Sequence, residues 1–218
     1  MVYNQLSLYN TGRLRCIADL IPSASSFAYA LDVGCGTGIW NAQMCKIVKS
    51  KGYMYIGLDI SKEFLLKDKN LTMNAYILSD ACSLPSKPCF KLVIALEIIE
   101  HLDNPEKLLA EISGILAKGG YLIISTPNKF SLEGIWGKTR EFFGSKKWVA
   151  WDEEHKHIFS SIQFLAILKK YFSVVQVLGY YLLLSPPFLE KATSMLKTHY
   201  RPLNKLGFQT IGLLKKVG

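Results

Sequence analysis

Leu31-Asp-Val-Gly-Cys-Gly-Thr-Gly38 places three glycines at alternate positions directly after the apolar run Tyr29 to Val33. A short apolar run of this kind reads as a buried parallel strand. Glycine tolerates positive φ and lets a ligand approach the backbone with no Cβ in the way. A strand turning through Gly34, Gly36 and Gly38 into a helix therefore makes a nucleotide-sized platform at the strand's carboxyl end. A phosphate loop of the nucleoside-triphosphatase kind would end in Gly-Lys-Ser/Thr. Here Gly38 precedes Ile39, Trp40 and Asn41, so no lysine is placed to clamp a phosphate. The dinucleotide fingerprint needs a further glycine where Ile39 stands, and it is missing too.

Working outward, the order of elements is strand and helix in alternation. Upstream, Leu6, Tyr9, Leu14, Ile17 and Leu20 approximate one helical face, and Pro22 follows its end. Downstream, a helix from Ile39 to about Lys49 stops at Lys51-Gly52. Strands follow at Tyr53–Leu58, closing on Asp59, at Ala75–Leu78 and at Leu92–Leu96, with a helix capped by Ser61 and running through Leu66 between the first two. Asn104-Pro105 predicts a helix start; that helix carries Leu108, Leu109, Ile112, Ile115 and Leu116 on one face and stops at Lys118-Gly119-Gly120. Tyr121–Ser125 reads as the fifth strand. A helix near Ser161–Lys170, a strand Val174–Tyr180, a short helix Leu189–Lys197 and a last strand Phe208–Leu214 complete the chain. Such alternation means a parallel sheet with right-handed crossovers.

The 218 residues suit one domain, 1–218, with an insertion at about 128–157. There Phe130, Trp136, Phe142, Phe143, Trp148 and Trp151 are interleaved with Lys129, Lys138, Arg140, Lys146 and Lys147. That mixture suits stacked bases and phosphates, a lid over a hydrophobic ligand, or a patch resting on anionic lipid. The net charge of +9 favours anionic partners in the same way. Five cysteines without a CxxC pair suggest reduced thiols in a cytoplasm. The longest apolar run, Val177–Leu184, is far below the roughly 20 residues of a spanning helix, so no transmembrane segment is expected.

Ligands of open parallel sheets sit beyond the carboxyl ends of the strands. Asp59 ends the second strand, where its carboxylate can accept from both hydroxyls of a ribose or, alternatively, cap the next helix. Asp80 ends the third. After the fourth come Glu97, Glu100 and His101, whose spacing on one helical turn sets Glu97 near both of the others. Two carboxylates beside an imidazole are poor core material, and a divalent cation would resolve the conflict. Glu154-His155-Lys-His157 could add a ligand. Without a cation, His101 or His155 could act as a general base.

Asp32-Val-Gly-Cys-Gly-Thr-Gly, Asp59 after Gly-Leu, Ser79-Asp80-Ala81 and Gly119-Gly120-Tyr-Leu-Ile-Ile-Ser125 together resemble the motifs of class I S-adenosylmethionine-dependent methyltransferases, over roughly residues 31–128. The resemblance implies an α/β, Rossmann-like, seven-stranded and mostly parallel sheet with helices on both faces and one antiparallel member. It implies S-adenosylmethionine as cofactor, held by Gly34, Gly36, Gly38, Asp59, Asp80, Ala81 and Leu96, with Asp80 and Ala81 beside the adenine amino group. Glu97-x-x-Glu100-His101 is similar to quinone-biosynthesis O-methyltransferases of that class. With a later histidine it also resembles the small-RNA 3′-terminal 2′-O-methyltransferases. By that likeness Glu97, Glu100, His101 and His155 (or His157 in its place) hold Mg2+ or another divalent cation. Transfer to oxygen of a small, hydrophobic acceptor follows as the leading expectation, because Ala95-Leu96-Glu97-Ile98 stands where an Asn/Asp-Pro-Pro-Tyr/Phe stretch would mark amino-group methylation. An RNA 2′-O-methyltransferase and a non-catalytic cofactor-binding module are the rival readings. Peripheral membrane contact stays open beside them.

Overall fold

A computed structural model of the chain describes residues 12–36, 39–63, 75–84, 87–131, 154–180 and 207–217, and positions 135, 139, 142 and 143. Gly38, the first helix before residue 12, the helix after residue 63, the helix at Leu189–Lys197 and Trp136, Trp148 and Trp151 lie outside the described residues. The elements are α1 (residues 12–20), β1 (Ala28–Val33), α2 (Ile39–Ser50), β2 (Tyr53–Asp59), β3 (Ala75–Leu78), β4 (Phe90–Leu96), α3 (Pro105–Ile115), β5 (Leu116–Pro127), α4 (Ser161–Leu168), β6 (Phe172–Tyr180) and β7 (Gln209–Lys216). A single 3-10 turn, Ile99–His101, follows β4.

Seven strands form one sheet in the order β3-β2-β1-β4-β5-β7-β6. The first five pair in parallel, and β7 runs antiparallel to both its neighbours. The seven-stranded, mostly parallel α/β fold expected from the sequence is thus the one observed. Both faces are covered. Leu14 and Ile17 of α1 and Met44 and Val48 of α2 pack on one side with Tyr55 and Ile123. Leu108, Leu109 and Ile112 of α3 and Phe164 and Leu168 of α4 pack on the other with Val93, Leu122 and Ile124. This explains why β1 and β4 read as near-continuous apolar runs: strands buried on both faces have no polar side to alternate with. Chain order reverses between β1 and β4, and such a switch point opens a crevice beyond their carboxyl ends.

Local chemistry sets the helix ends. Asn104 caps α3 by accepting the Lys107 N–H at 3.0 Å, with Pro105 at the first helical position. Ser160 and Gln163 form a reciprocal capping box on α4. Asn104→Ala should lower stability by about 1 kcal/mol, read as a shift in denaturation midpoint without a change in its slope. The end of α3 departs from expectation. The helix stops at Ile115, and Leu116 enters β5 directly, pairing with Phe90. Burial of Leu116 and ladder pairing override the Lys-Gly-Gly stop signal, which instead becomes an irregularity in the β4–β5 register. A Cβ on Gly120 would lie 2.9 Å from the Ala117 carbonyl and 3.0 Å from that of Phe90, so only glycine fits that bulge.

Candidate functional site

The glycine turn after β1 is shaped by contact as well as by φ. Gly34 has φ +72°, and a Cβ there would stand 2.7 Å from Ile98 Cδ1. The Gly34 and Cys35 N–H groups both donate to the Leu58 carbonyl, which fastens the turn to the end of β2. Beyond the turn lies a cavity of about 320 Å³ lined by Arg13, Asp32, Gly34, Cys35, Gly36, Trp40, Leu96 and Glu97. Its size falls at the lower end of small-ligand sites. Gly34, Gly36 and Leu96 therefore border one cavity.

Asp59 borders this cavity through Gly36, whose N–H donates to Asp59 Oδ2 at 2.9 Å, while the Ser61 N–H donates to Oδ1 at 2.9 Å. The buried carboxylate thus serves as an end cap and also braces the glycine turn. Asp80 stands one strand further on, because the Ser79 N–H donates to the Asp59 carbonyl. Its Oδ1 accepts the Cys82 N–H at 2.8 Å in an Asx turn, with Ala81 buried beside it.

Four lining residues, Arg13, Asp32, Cys35 and Trp40, were not among the expected site residues. Asp32 lies at the floor, buried, with Tyr55 donating its phenolic O–H to Oδ2. Burial pushes its carboxyl up to about 7, the nearby Asp59 charge adds to the rise, and the Tyr55 hydrogen bond opposes it. Arg13 reaches in from α1, its guanidinium 4.8 Å over the Trp40 ring, and its buried Nε has no hydrogen-bond partner among the described residues. These signals were invisible in sequence because the partners come from remote elements.

The acidic segment after β4 does not form the helical turn that the spacing suggested. Glu97 adopts φ 54°, a left-handed conformation rare outside glycine, and only Ile99–His101 is helical. Such a conformation costs on the order of 1–3 kcal/mol and persists where surroundings over-determine it. Here they do. Glu97 Oε1 accepts from Ser125 Oγ at 2.6 Å, Oε2 accepts from Gln209 Nε2 at 2.6 Å, and Arg13 Nη2 lies 3.5 Å from Oε1. Glu97 is thereby separated from Glu100, which takes its hydrogen bond from Thr126 Oγ1 at 3.3 Å. Successive strand residues face opposite ways, so Ser125 and Thr126 draw the two carboxylates apart.

The remaining histidine expectations resolve clearly. Lys156 and His157 donate their N–H groups to the Glu100 carbonyl at 2.9 and 3.0 Å, docking the segment 154–157 on the 3-10 turn. Ligand atoms of Glu100, His101 and His155 then lie within 4.8 Å of one another, and the two imidazole centroids are 4.7 Å apart. His157 stacks on Phe159 instead and stays out of the group. Glu97, expected as a fourth member, stays out as well. Burial, with the Glu97 charge adding, pushes Glu100 up to about 8. Its Oε1 is buried with no hydrogen-bond donor among the described residues. An orphaned carboxylate oxygen facing two imidazoles is a donor set that fits a divalent cation. Of the aromatic insertion, Phe142 and Phe143 are exposed at 86% and 79%, and Phe130 and Ile135 are half exposed.

Residues 9–176 match the sequence profile of a family described as "Methyltransferase domain". Among curated proteins, the ubiquinone biosynthesis O-methyltransferase of Dictyostelium discoideum, a mitochondrial protein, is 30% identical over 121 residues, 48% of this chain and 37% of that protein. The ubiquinone biosynthesis O-methyltransferase of Pelagibacter ubique is 31% identical over 105 residues, 45% of this chain and 42% of its own. The chain thus spans about two fifths of the length of these relatives. A crystal structure of an S-adenosylmethionine-dependent methyltransferase from Thermotoga maritima superposes with a TM-score of 0.65 at 20% identity, covering 97% of this chain and 91% of that one, a likeness of fold.

Proposed function

This chain belongs to the methyltransferase-domain family, and on that premise we propose that it transfers a methyl group from S-adenosylmethionine to an oxygen of a small, hydrophobic acceptor. The observation that carries this reading is that the end of β4 lines the glycine-turn cavity with Leu96 and Glu97, and the turn that follows it carries Glu100 and His101 into a cluster with His155.

The residues divide the work by position. Asp59 would accept from the ribose hydroxyls, and Asp80 and Ala81 would border the adenine. The Gly34–Gly36 backbone leaves room for the chain leading to the sulfur, and the Arg13 guanidinium, which lines the cavity, would meet the terminal carboxylate. S-adenosylmethionine supplies an electrophilic methyl group on a sulfonium sulfur, displaced in line by the acceptor oxygen. Holding the two reactants at near-attack distance can supply most of the acceleration. Without a cation, the proton leaving that oxygen would pass to His101 or His155 as general base. With a divalent cation bound, Glu100, His101 and His155 would instead hold it, and the chemistry it would supply there is to lower the pKa of an acceptor hydroxyl so that the proton leaves to solvent. The ubiquinone O-methyltransferase relatives and the exposed Phe130, Ile135, Phe142 and Phe143 support a hydrophobic acceptor.

Turnover on a vicinal dihydroxy aromatic should fall on EDTA treatment and return with Mg2+, and Glu100→Ala should remove any Mg2+ dependence. Activity unchanged in EDTA would retire the cation. A second reading, 2′-O-methylation of RNA 3′ ends, is favoured by the place of His155 in the cluster and by the charge of +9. Turnover on short RNA, lost after periodate oxidation, would select it over the first.

A further inference from the structure

We propose that Glu97 is a positioning residue and not a cation ligand: it clamps Arg13 of α1 against the cavity, while Glu100, His101 and His155 form the cation set without it. The inference rests on the cation and cofactor reading given above and deepens it.

Both carboxylate oxygens of Glu97 are already taken by short hydrogen bonds, one from β5 and one from β7, with Arg13 alongside. Its backbone N–H donates to the Ser125 carbonyl at 3.2 Å, so the left-handed conformation is held from main chain and side chain together. Turning the carboxylate toward Glu100 would strip partners from Gln209 Nε2 and from the buried Arg13 guanidinium at once. Leaving such groups buried and unpaired is the costly alternative. The alternation of Ser125 and Thr126 on β5 acts in the same direction, sending Glu97 to the α1–α2 face and Glu100 to the α3–α4 face. On the α1–α2 face Arg13 is fixed on three sides: Trp40 beneath, Glu97 and Ser125 at Nη2. The remaining Nε edge has no partner among the described residues. A guanidinium immobilised in this way lines the cavity in a fixed orientation.

The test uses the full chain with Co2+ as the cation probe, read by its visible absorption, and S-adenosylhomocysteine as the cofactor probe, read by calorimetry. Glu97→Gln should bind Co2+ within about threefold of wild type with an unchanged spectrum, while its affinity for S-adenosylhomocysteine falls about tenfold or more. Glu100→Gln should lose Co2+ and keep S-adenosylhomocysteine. Because Glu97 acts through Arg13, the double variant Glu97→Gln/Arg13→Met should lose no more cofactor affinity than Arg13→Met alone. If Glu97→Gln fails to fold, Glu97→Met carries the same pair of measurements. Loss of Co2+ binding in Glu97→Gln, or additive losses in the double variant, would overturn the proposal. Wild-type protein that binds no Co2+ would remove the cation reading instead, and the additivity measurement would then decide the role of Glu97 by itself.

Discussion

Asp59→Ala is expected to weaken S-adenosylhomocysteine binding by about 100-fold or more. Asp59 stands at the end of β2, and hydrogen bonds to a carboxylate contribute about 1.5–3 kcal/mol each. Two ribose hydroxyls would donate to it. The variant also loses the brace on the Gly36 N–H, so part of the penalty reflects a looser glycine turn. A cofactor analogue lacking the ribose hydroxyls separates the two parts. Against that analogue the Asp59→Ala penalty should shrink to the bracing share alone. An undiminished penalty would mean that Asp59 acts only as an internal cap for Ser61 and Gly36.

The second large effect is a pH dependence of stability carried by Asp32. Burial pushes its folded carboxyl up to about 7, well above the ordinary aspartate value of 3.8. Below about pH 4 it is protonated in both states and contributes no slope. Between about pH 4 and 7 the unfolded chain ionises while the folded chain keeps its proton. Stability therefore falls as pH rises through this window and levels off above it. The shift corresponds to as much as about 4 kcal/mol. Glu100 is raised to about 8 and adds a slope of the same sign, so the difference between wild type and Asp32→Asn isolates the Asp32 share. Asparagine can still accept the Tyr55 hydroxyl, so any offset it introduces should not vary with pH. Wild type should lose Tm relative to Asp32→Asn from pH 4.5 to 7.5, and parallel curves would contradict this origin.

Much of the framework around the glycine-turn cavity was legible in the sequence because it is local. The glycine spacing, the acids at strand ends and Asn104-Pro105 each act within a few residues, where periodicity and capping rules apply. The acceptor side was only half legible. Glu100 and His101 are neighbours in sequence, but the choice of His155 over His157 depends on which backbone N–H groups reach the Glu100 carbonyl. Helical spacing misplaced Glu97, because the partners that hold it are Ser125 and Gln209 of other strands, the latter 112 residues away. Arg13 was missed for the same reason: its role comes from contact with Trp40, Glu97 and Ser125, not from any pattern within α1. The extension of β5 back to Leu116 was hidden because its ladder with β4 outweighs a strong local stop signal.

The central claim is that the cavity beyond Gly34 and Gly36 holds S-adenosylmethionine. Isothermal titration of the full chain with S-adenosylhomocysteine tests it most directly. A saturable one-to-one isotherm with a Kd below about 100 μM is the predicted result. No heat with either S-adenosylhomocysteine or S-adenosylmethionine at high micromolar concentration would contradict it, leaving the fold without the cofactor it was read as binding.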